Sequence, residues 1–203
     1  MVRDGYKFVA LPLALAVIAV AIGWRATGLI FFLAAVFVIY FFRDPERSTP
    51  ADSRAVVSPA DGRVMLVVPE EHGGRPGRRI SIFLAIWNVH VNRAPMAGVI
   101  EHVQYRPGRF FVASRARASA ENEQNVIRLR TDRGEIVFKQ IAGWVARRVI
   151  CWKSPGDRVV MGERIGLIRF GSRMDVWLPE EVEILARPGE NVAAGTSILA
   201  RWP

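Results

Sequence analysis

A single cysteine, Cys151, stands in 203 residues. An internal disulfide framework and any multi-cysteine metal cluster are thereby excluded, and a reducing compartment is the expected home. Histidine is scarce as well: His72, His90 and His102 leave little material for a His-rich metal site. Acidic residues are outnumbered, 19 Asp+Glu against 28 Lys+Arg, for a net charge of +9 and a pI near 10.9. So basic a chain seeks anionic partners, either nucleic acid or the acidic face of a membrane. Apolar residues, by contrast, are abundant. A hydrophobic fraction of 51% and a mean hydropathy of +0.17 exclude a disordered chain. One compact core plus an appendage is expected at this length.

Charge is missing altogether from two stretches near the start, residues 8–24 (FVALPLALAVIAVAIGW) and 28–42 (GLIFFLAAVFVIYFF). Each falls slightly short of the roughly 20 residues a spanning helix needs. The short link Trp24-Arg25-Ala26-Thr27 makes a membrane-anchoring helical hairpin over residues 1–42 the expected structure. A signal peptide is the competing explanation, but no small-residue cleavage site separates the runs and a second apolar run follows at once. A buried helical pair in a soluble protein is the other alternative. Arg3 and Lys7 precede the hairpin, Arg43 and Arg47 follow it, and Arg25 alone occupies the turn. The positive-inside bias then places both ends and the remaining domain on the cytoplasmic face of the cell membrane. Tyr40, Phe41 and Phe42, followed by Arg43, have the character of an interfacial aromatic belt with a basic anchor.

Residues 43–54 are polar and proline-containing and read as a linker, with a β-rich domain over 55–203. Strand-forming runs at 63–68, 79–86, 126–129, 135–141, 145–151 and 164–170 are separated by Gly, Pro and Asp turns. That spacing predicts a mostly β sandwich or barrel, with one irregular helical stretch between Phe111 and Gln124. An internal repeat sharpens the expectation. SPGDRVVMGERIGLI at 154–168 and RPGENVAAGTSIL at 187–199 share Pro-Gly-acid-x-Val-x-x-Gly-x-x-Ile, with Pro155 and Pro188 33 residues apart. Pro-Gly sets a tight turn, Val enters the core, and the second Gly turns the chain back before an Ile-led strand. The repeat resembles the hammerhead turns of biotinyl/lipoyl-type barrel-sandwich folds, and no Met-Lys-Met-like carrier lysine accompanies it. Basic clusters at 75–79, 115–117, 128–133 and 147–148 lack the interleaved aromatics or reader fold that nucleic-acid binding requires. Anionic lipid is the simpler partner, because the hairpin already brings the domain to that surface.

Gly171-Ser172 by itself reads as a turn after a strand, and no Gly-x-Ser-x-Gly surrounds it. Its companions give it meaning: FFRDPER (41–47), SPADGRV (58–64), NVHVNRAPMAG (88–98), ASAENEQNVI (118–127) and GERIGLIRFGSRMDVWLP (162–179). These segments, in this order after an apolar hairpin, resemble the phosphatidylserine decarboxylases, specifically their short, archaeal-type (PSD-A-like) branch. In that family the Gly-Ser bond is a self-cleavage site, so the resemblance implies a large chain 1–171 and a 32-residue small chain 172–203 that remain associated. Ser172 would become an N-terminal pyruvoyl group. That group would form a Schiff base with the amine of phosphatidylserine, and loss of CO2 would yield phosphatidylethanolamine with neither metal nor pyridoxal phosphate.

The same resemblance marks Asp61, in Pro-Ala-Asp-Gly, and His90, in Val-His-Val, as catalytic partners of Ser172. On residue type alone Asp61 is an Asp-Gly turn and His90 a packed strand histidine. Longer members carry a second histidine where this chain has Arg93, which leaves open whether His90 serves self-cleavage, decarboxylation or both. Arg93 stays protonated and suits a phosphate or carboxylate clamp, or a salt-bridged strand end. Asn122 and Glu123 match a family Asn-Glu-Arg pattern whose Arg is Gln124 here, and are given no chemistry. His72 reads as an exposed loop residue, and His102 is given no role. Association between copies stays open. Two other functions compete: a non-enzymatic membrane-anchored barrel-sandwich adaptor, and a pyruvoyl decarboxylase of a soluble amino acid.

Overall fold

The computed structural model describes residues 1–115, 117–144, 148–169 and 171–203. Two compact units emerge, Met1–Glu46 and Arg47–Pro203. In the first, a 3-10 turn at Arg3–Gly5 leads into α1 (Tyr6–Ala21) and, after a turn at Gly23 (φ +84°), α2 (Arg25–Phe41). Small residues permit the pairing. Ala16, Ala19, Gly28 and Ala35 are buried, and a Cβ on Gly28 would meet Val20 Cγ2 at 2.6 Å. Close backbone approach of this kind is how apolar helices associate without a hydrophobic driving force between them. The ends are tied by the Val2 N–H donating to the Phe42 carbonyl (3.0 Å) and by Phe8 stacking on Phe42 (5.5 Å). Leu13, Val17, Ile18, Leu29, Ile30 and Leu33 face outward. Residues Arg3–Ala21 form a helix long and apolar enough to cross a membrane, and α2 is a shorter apolar helix.

The second unit is mostly β. Its strands are β1 (Ala55–Val57), β2 (Gly62–Pro69), β3 (Gly77–Leu84), β4 (Val91–Arg93), β5 (Gly98–Arg106), β6 (Gln124–Arg130) and β7 (Glu135–Ala142). They continue with β8 (Val149–Cys151), β9 (Arg158–Val159), β10 (Arg164–Ile168), β11 (Ser172–Pro179), β12 (Glu183–Ile184), β13 (Asn191–Val192) and β14 (Ile198–Arg201). Eight form one curled antiparallel sheet, ordered β13-β2-β3-β11-β7-β6-β5-β9, and two three-stranded sheets, β1-β14-β12 and β4-β10-β8, complete the fold. Ile80, Ile82, Ile127, Phe138, Ile165 and Val176 belong to the core.

The Pro-Gly repeat is a structural repeat down to its backbone. Gly156 and Gly189 have φ of +96° and +95°, Gly162 and Gly195 have +77° and +75°. Asp157 accepts from the Ser154 N–H as Glu190 accepts from that of Arg187 (2.8 and 3.0 Å). Gly162 donates to the Ala94 carbonyl and Gly195 to that of Ser58 (2.9 and 2.8 Å). The two turns meet, since a Cβ on Gly195 would lie 3.4 Å from Gly162 Cα. These are the paired hammerheads of a barrel-sandwich fold.

Some local expectations differ from the structure. Helix between Phe111 and Gln124 is limited, among the described residues, to α3 (Ala118–Glu121), where Asn122 leaves the helix for an extended backbone. The expected strands at 145–151 and 164–170 are present as β8 and β10. Their portions at 145–147 and 170 lie outside the described residues. Within the second unit, the polar stretch that starts at Arg47 is held where Arg47 pairs with Asp61 (2.8 Å) and Asp52 with Arg201 (2.9 Å).

Candidate active site

Ser172 opens β11 in the middle of the large sheet, opposite Leu84 of β3 and Ala142 of β7. Strand alternation sends it to the same face as the core residues Met174, Val176 and Leu178. The residue is fully buried, and its Oγ makes no hydrogen bond among the described residues. A hydroxyl buried without a partner costs about 1–3 kcal/mol, so a packing role does not account for it. Gly171 before it is left-handed, φ +65°, with open space where a Cβ would go. Its requirement for glycine is therefore conformational.

The Gly171 carbonyl lies against β7's exit. A Cβ on Gly143 would sit 2.1 Å from that oxygen and 3.3 Å from Ala113 Cβ. This wall is held from behind by Asn122, which is buried. Its Nδ2 donates to the carbonyls of Ala142 (2.7 Å) and Phe111 (2.9 Å), and its Oδ1 accepts from the Phe111 N–H (2.9 Å). Asn122 thus fixes two chain segments beside the Gly171–Ser172 bond, and Glu123 accepts from the Val149 N–H (3.3 Å) just beyond it.

His90 arrives by the loop that leaves β3 at Leu84, the residue opposite Ser172. That loop closes on itself. Asn88 Oδ1 accepts from the Ala85 N–H (2.8 Å), and the Asn88 N–H donates to the Ala85 carbonyl (2.9 Å). His90 is fully buried, and its carbonyl accepts from the Ile168 N–H (3.2 Å), four residues before Ser172. Strand pairing on both sides therefore brings His90 and Ser172 to one end of the sheet. His90 Nδ1 lies 2.9 Å from the Asn88 carbonyl, an acceptor only, so Nδ1 carries the proton and Nε2 is the basic nitrogen.

Asp61 takes other partners. Its carboxylate accepts from Arg47 Nη2 (2.8 Å) and from the Ala194 N–H (2.8 Å). The neighbouring Gly195 abuts Arg93, with a Cβ there placed 3.0 Å from Arg93 Cδ, and Arg93 Nη1 donates to the Gly162 carbonyl (2.9 Å). Asp61 and Arg93 thus flank the second hammerhead, and the buried Arg93 braces the first. His72 sits in a turn with its ring 5.4 Å from that of Trp177, and burial, with Lys139, lowers its pKa. His102 is exposed on β5. Among the described residues no group of three His, Cys, Asp or Glu is gathered as a metal site.

Large apolar side chains surround this end of the sheet and face solvent: Ile86 and Trp87 on the His90 loop, Val112 beside Ala113, and Trp144 beside Gly143. The exposed Arg115, Arg117 and Arg148 stand among them, Arg117 over the Phe111 ring at 3.9 Å. Gly143 and the Asn88 carbonyl had no signal in the sequence, because neither residue type nor spacing marks a backbone contact across strands. Asn122 lay in a recognised pattern, and only its three hydrogen bonds reveal its use.

Fold and site together define a mostly β, barrel-sandwich protein with a buried serine and a buried histidine at one end of its main sheet, preceded by an apolar helical pair. The family model for phosphatidylserine decarboxylase matches residues 34–200. A phosphatidylserine decarboxylase proenzyme of Solibacter usitatus is 53% identical over 192 residues, covering 93% of this chain and 92% of its own. Those of Symbiobacterium thermophilum and Ruegeria pomeroyi are 45% and 48% identical, covering 99% and 97% of this chain and 95% and 93% of their own. The chain belongs to the phosphatidylserine decarboxylase family.

Proposed function

We propose that this chain decarboxylates phosphatidylserine to phosphatidylethanolamine with a pyruvoyl group made from its own Ser172. The observation that carries the reading is the buried Ser172 hydroxyl, without a hydrogen bond among the described residues, next to a left-handed glycine. Relatives named as proenzymes support a maturation step. Ser172 Oγ attacks the Gly171 carbonyl carbon while His90 Nε2 takes the hydroxyl proton and returns it to the departing Ser172 amine. An ester replaces the amide. Loss of the Ser172 Cα proton then expels the Gly171 carboxylate and divides the chain into 1–171 and 172–203. The dehydroalanine left at position 172 tautomerises, takes up water and releases ammonia, leaving a ketone.

The residues present fit that group. The small side chain at 172 lies in a buried position between Leu84 and Ala142, with His90 at the same end of the sheet. A pyruvoyl carbonyl supplies an electron sink for the pair left when CO2 departs from the substrate's headgroup. In this reading His90 is also assigned the proton of that step. Asp61 is assigned a positioning role through Ala194, holding the hammerhead that Arg93 also touches.

Both pieces stay together in this reading. β11, in the small chain, is hydrogen-bonded between β3 and β7 of the large chain and is buried almost throughout. The apolar and arginine-bearing rim around residue 172 suits a bilayer surface, where Trp and Arg are at home. With the helical pair 1–42 as anchor and residues 43–54 as link, the site works on the cytoplasmic face of the membrane.

Mass spectrometry of the purified full chain tests the proposal. The expected result is a fragment beginning at residue 172 with pyruvoyl in place of serine, trapped by hydrazine or borohydride, and CO2 release from phosphatidylserine vesicles. Ser172→Ala is expected to stay full length and inactive. An intact wild-type chain with no trappable carbonyl would overturn the reading.

A further inference from the structure

The residue immediately after Ser172 is unusual for the centre of a sheet. Arg173 and Asp175 lie on the face of β11 opposite the main core, and each side chain is only 1% exposed. A strand buried on both faces is normally filled with Val, Ile or Leu. Here Arg173 Nε donates to Asp175 Oδ1 (2.6 Å), and Arg173 Nη2 donates to Ser81 Oγ on β3 (2.7 Å). Arg79 Nη1 donates to the same Ser81 oxygen (2.7 Å) and lies 3.5 Å from Asp175 Oδ2. Ser119, on α3, donates to Asp175 Oδ2, and Glu70 pairs with Arg79. Two cations and two anions are thus linked across the sheet, Arg173 and Asp175 fully buried and Arg79 and Glu70 partly exposed at its edge.

Stability does not explain the choice. A buried ion pair is seldom better than a well-packed apolar replacement of similar volume. Moreover, Arg173 Nη1 is buried without a hydrogen bond among the described residues. The connectivity suggests another use. Arg173 and Asp175 belong to the proposed small chain, whereas Ser81, Arg79 and Ser119 belong to the large one. Once the Gly171–Ser172 bond breaks, residue 172 is a chain terminus, and termini fray unless tied down. Arg173 is the first side chain able to tie it.

Resting on the function proposed above, we infer that Arg173, clamped by Asp175 and Ser81, is a positioning residue for position 172. It holds the Ser172 hydroxyl against the Gly171 carbonyl before cleavage and the ketone in place afterwards. It touches neither reacting atom. The arginine's planar fork presents separate N–H groups to Asp175 and Ser81 at fixed geometry, which a lysine's flexible ammonium reproduces only in part.

The test follows self-cleavage of the full chain by gel and mass spectrometry in Arg173→Met, Arg173→Lys and Asp175→Asn. Trp177→Phe is the control, a change on the same strand and face that loosens packing without touching Arg173. Thermal midpoints are read in the Ser172→Ala background. The expected result for Arg173→Met is cleavage slowed by roughly 10- to 100-fold, as a misplacement of about 1 Å would produce. Arg173→Lys should fold and recover part of that loss. In the processed fraction kcat should fall with KM unchanged, and Trp177→Phe should cleave at the wild-type rate. Wild-type cleavage and turnover in folded Arg173→Lys and Arg173→Met would overturn the inference. So would slowing that Trp177→Phe shares in proportion to its loss of thermal stability. An uncleaved wild type would instead overturn the proposed function, and this inference with it.

Discussion

Gly143 and Gly171 face each other so closely that a Cβ on Gly143 would lie 2.1 Å from the Gly171 carbonyl oxygen. No side chain fits between them, so Gly143→Ala must move that carbonyl or the Gly143 backbone itself. The expected outcome is a folded precursor whose self-cleavage is slower by on the order of 100-fold. Its far-ultraviolet circular dichroism should be that of Ser172→Ala. Cleavage of Gly143→Ala at the wild-type rate would show that the carbonyl is not held by this contact.

The Ser172 hydroxyl is a stability liability as well as a proposed nucleophile. In freshly purified uncleaved His90→Gln precursor, whose self-cleavage is expected to be slow, adding Ser172→Ala is expected to raise unfolding stability by about 1 kcal/mol, since an unsatisfied buried hydroxyl is removed. Urea denaturation measures this. A loss of more than about 1 kcal/mol would mean that the hydroxyl has a partner in the folded precursor.

For His90 the tautomer decides the expectation. Nδ1 faces the Asn88 carbonyl, which leaves Nε2 as the nitrogen for the proposed base. His90→Gln is expected to slow cleavage by roughly 10²- to 10⁴-fold. Asn88→Ala keeps that carbonyl but removes the Oδ1 that caps Ala85, and a smaller loss is expected. Equal losses in the two variants would point to loop collapse rather than proton transfer.

Asp61 separates its two contacts by substitution. Asp61→Asn keeps an acceptor for the Ala194 N–H but weakens the pair with Arg47, whereas Asp61→Ala removes both. If Asp61 acts through the hammerhead, Asp61→Asn retains cleavage to within about tenfold while Asp61→Ala falls further, since an unpaired amide costs about 1–3 kcal/mol. Identical cleavage rates for the two variants would refute a role through Ala194.

Glu163 supplies a pH test at the first hammerhead. Burial pushes its carboxyl up, but Lys153 and the Val160 N–H together pull it below its ordinary value. A carboxyl lowered on folding stabilises above its unfolded pKa and loses that contribution as pH falls through the folded value. The pair is partly exposed, so its worth is under about 1 kcal/mol. Wild type should therefore exceed Glu163→Gln in thermal midpoint near neutrality and converge with it below about pH 4. A constant difference across that range would contradict the assignment.

The parts legible in the sequence are those written in local pattern. Two charge-free runs foretold the helical pair, because a chain without charge over a helix's length has few soluble options. Turn residues at regular intervals foretold the β class, and Pro155-Gly156 and Pro188-Gly189 foretold two matching turns whose φ values agree within a degree. The helix expected between Phe111 and Gln124 shrank to Ala118–Glu121, because Asn122 spends its side chain on Phe111 and Ala142 instead of continuing the turn.

Sequence alone thus determined the architecture's class, the helical pair and the Gly171-Ser172 dipeptide, all encoded in neighbouring residues and their conformational limits. The tertiary structure decided the rest: the pressing of Gly143 on Gly171, the tautomer of His90, the capture of Asp61 by Arg47 and Ala194, and the burial of Arg173 with Asp175. Each of these is a contact set by strand register or loop path, and nothing in a residue's immediate neighbours encodes which distant backbone it will meet.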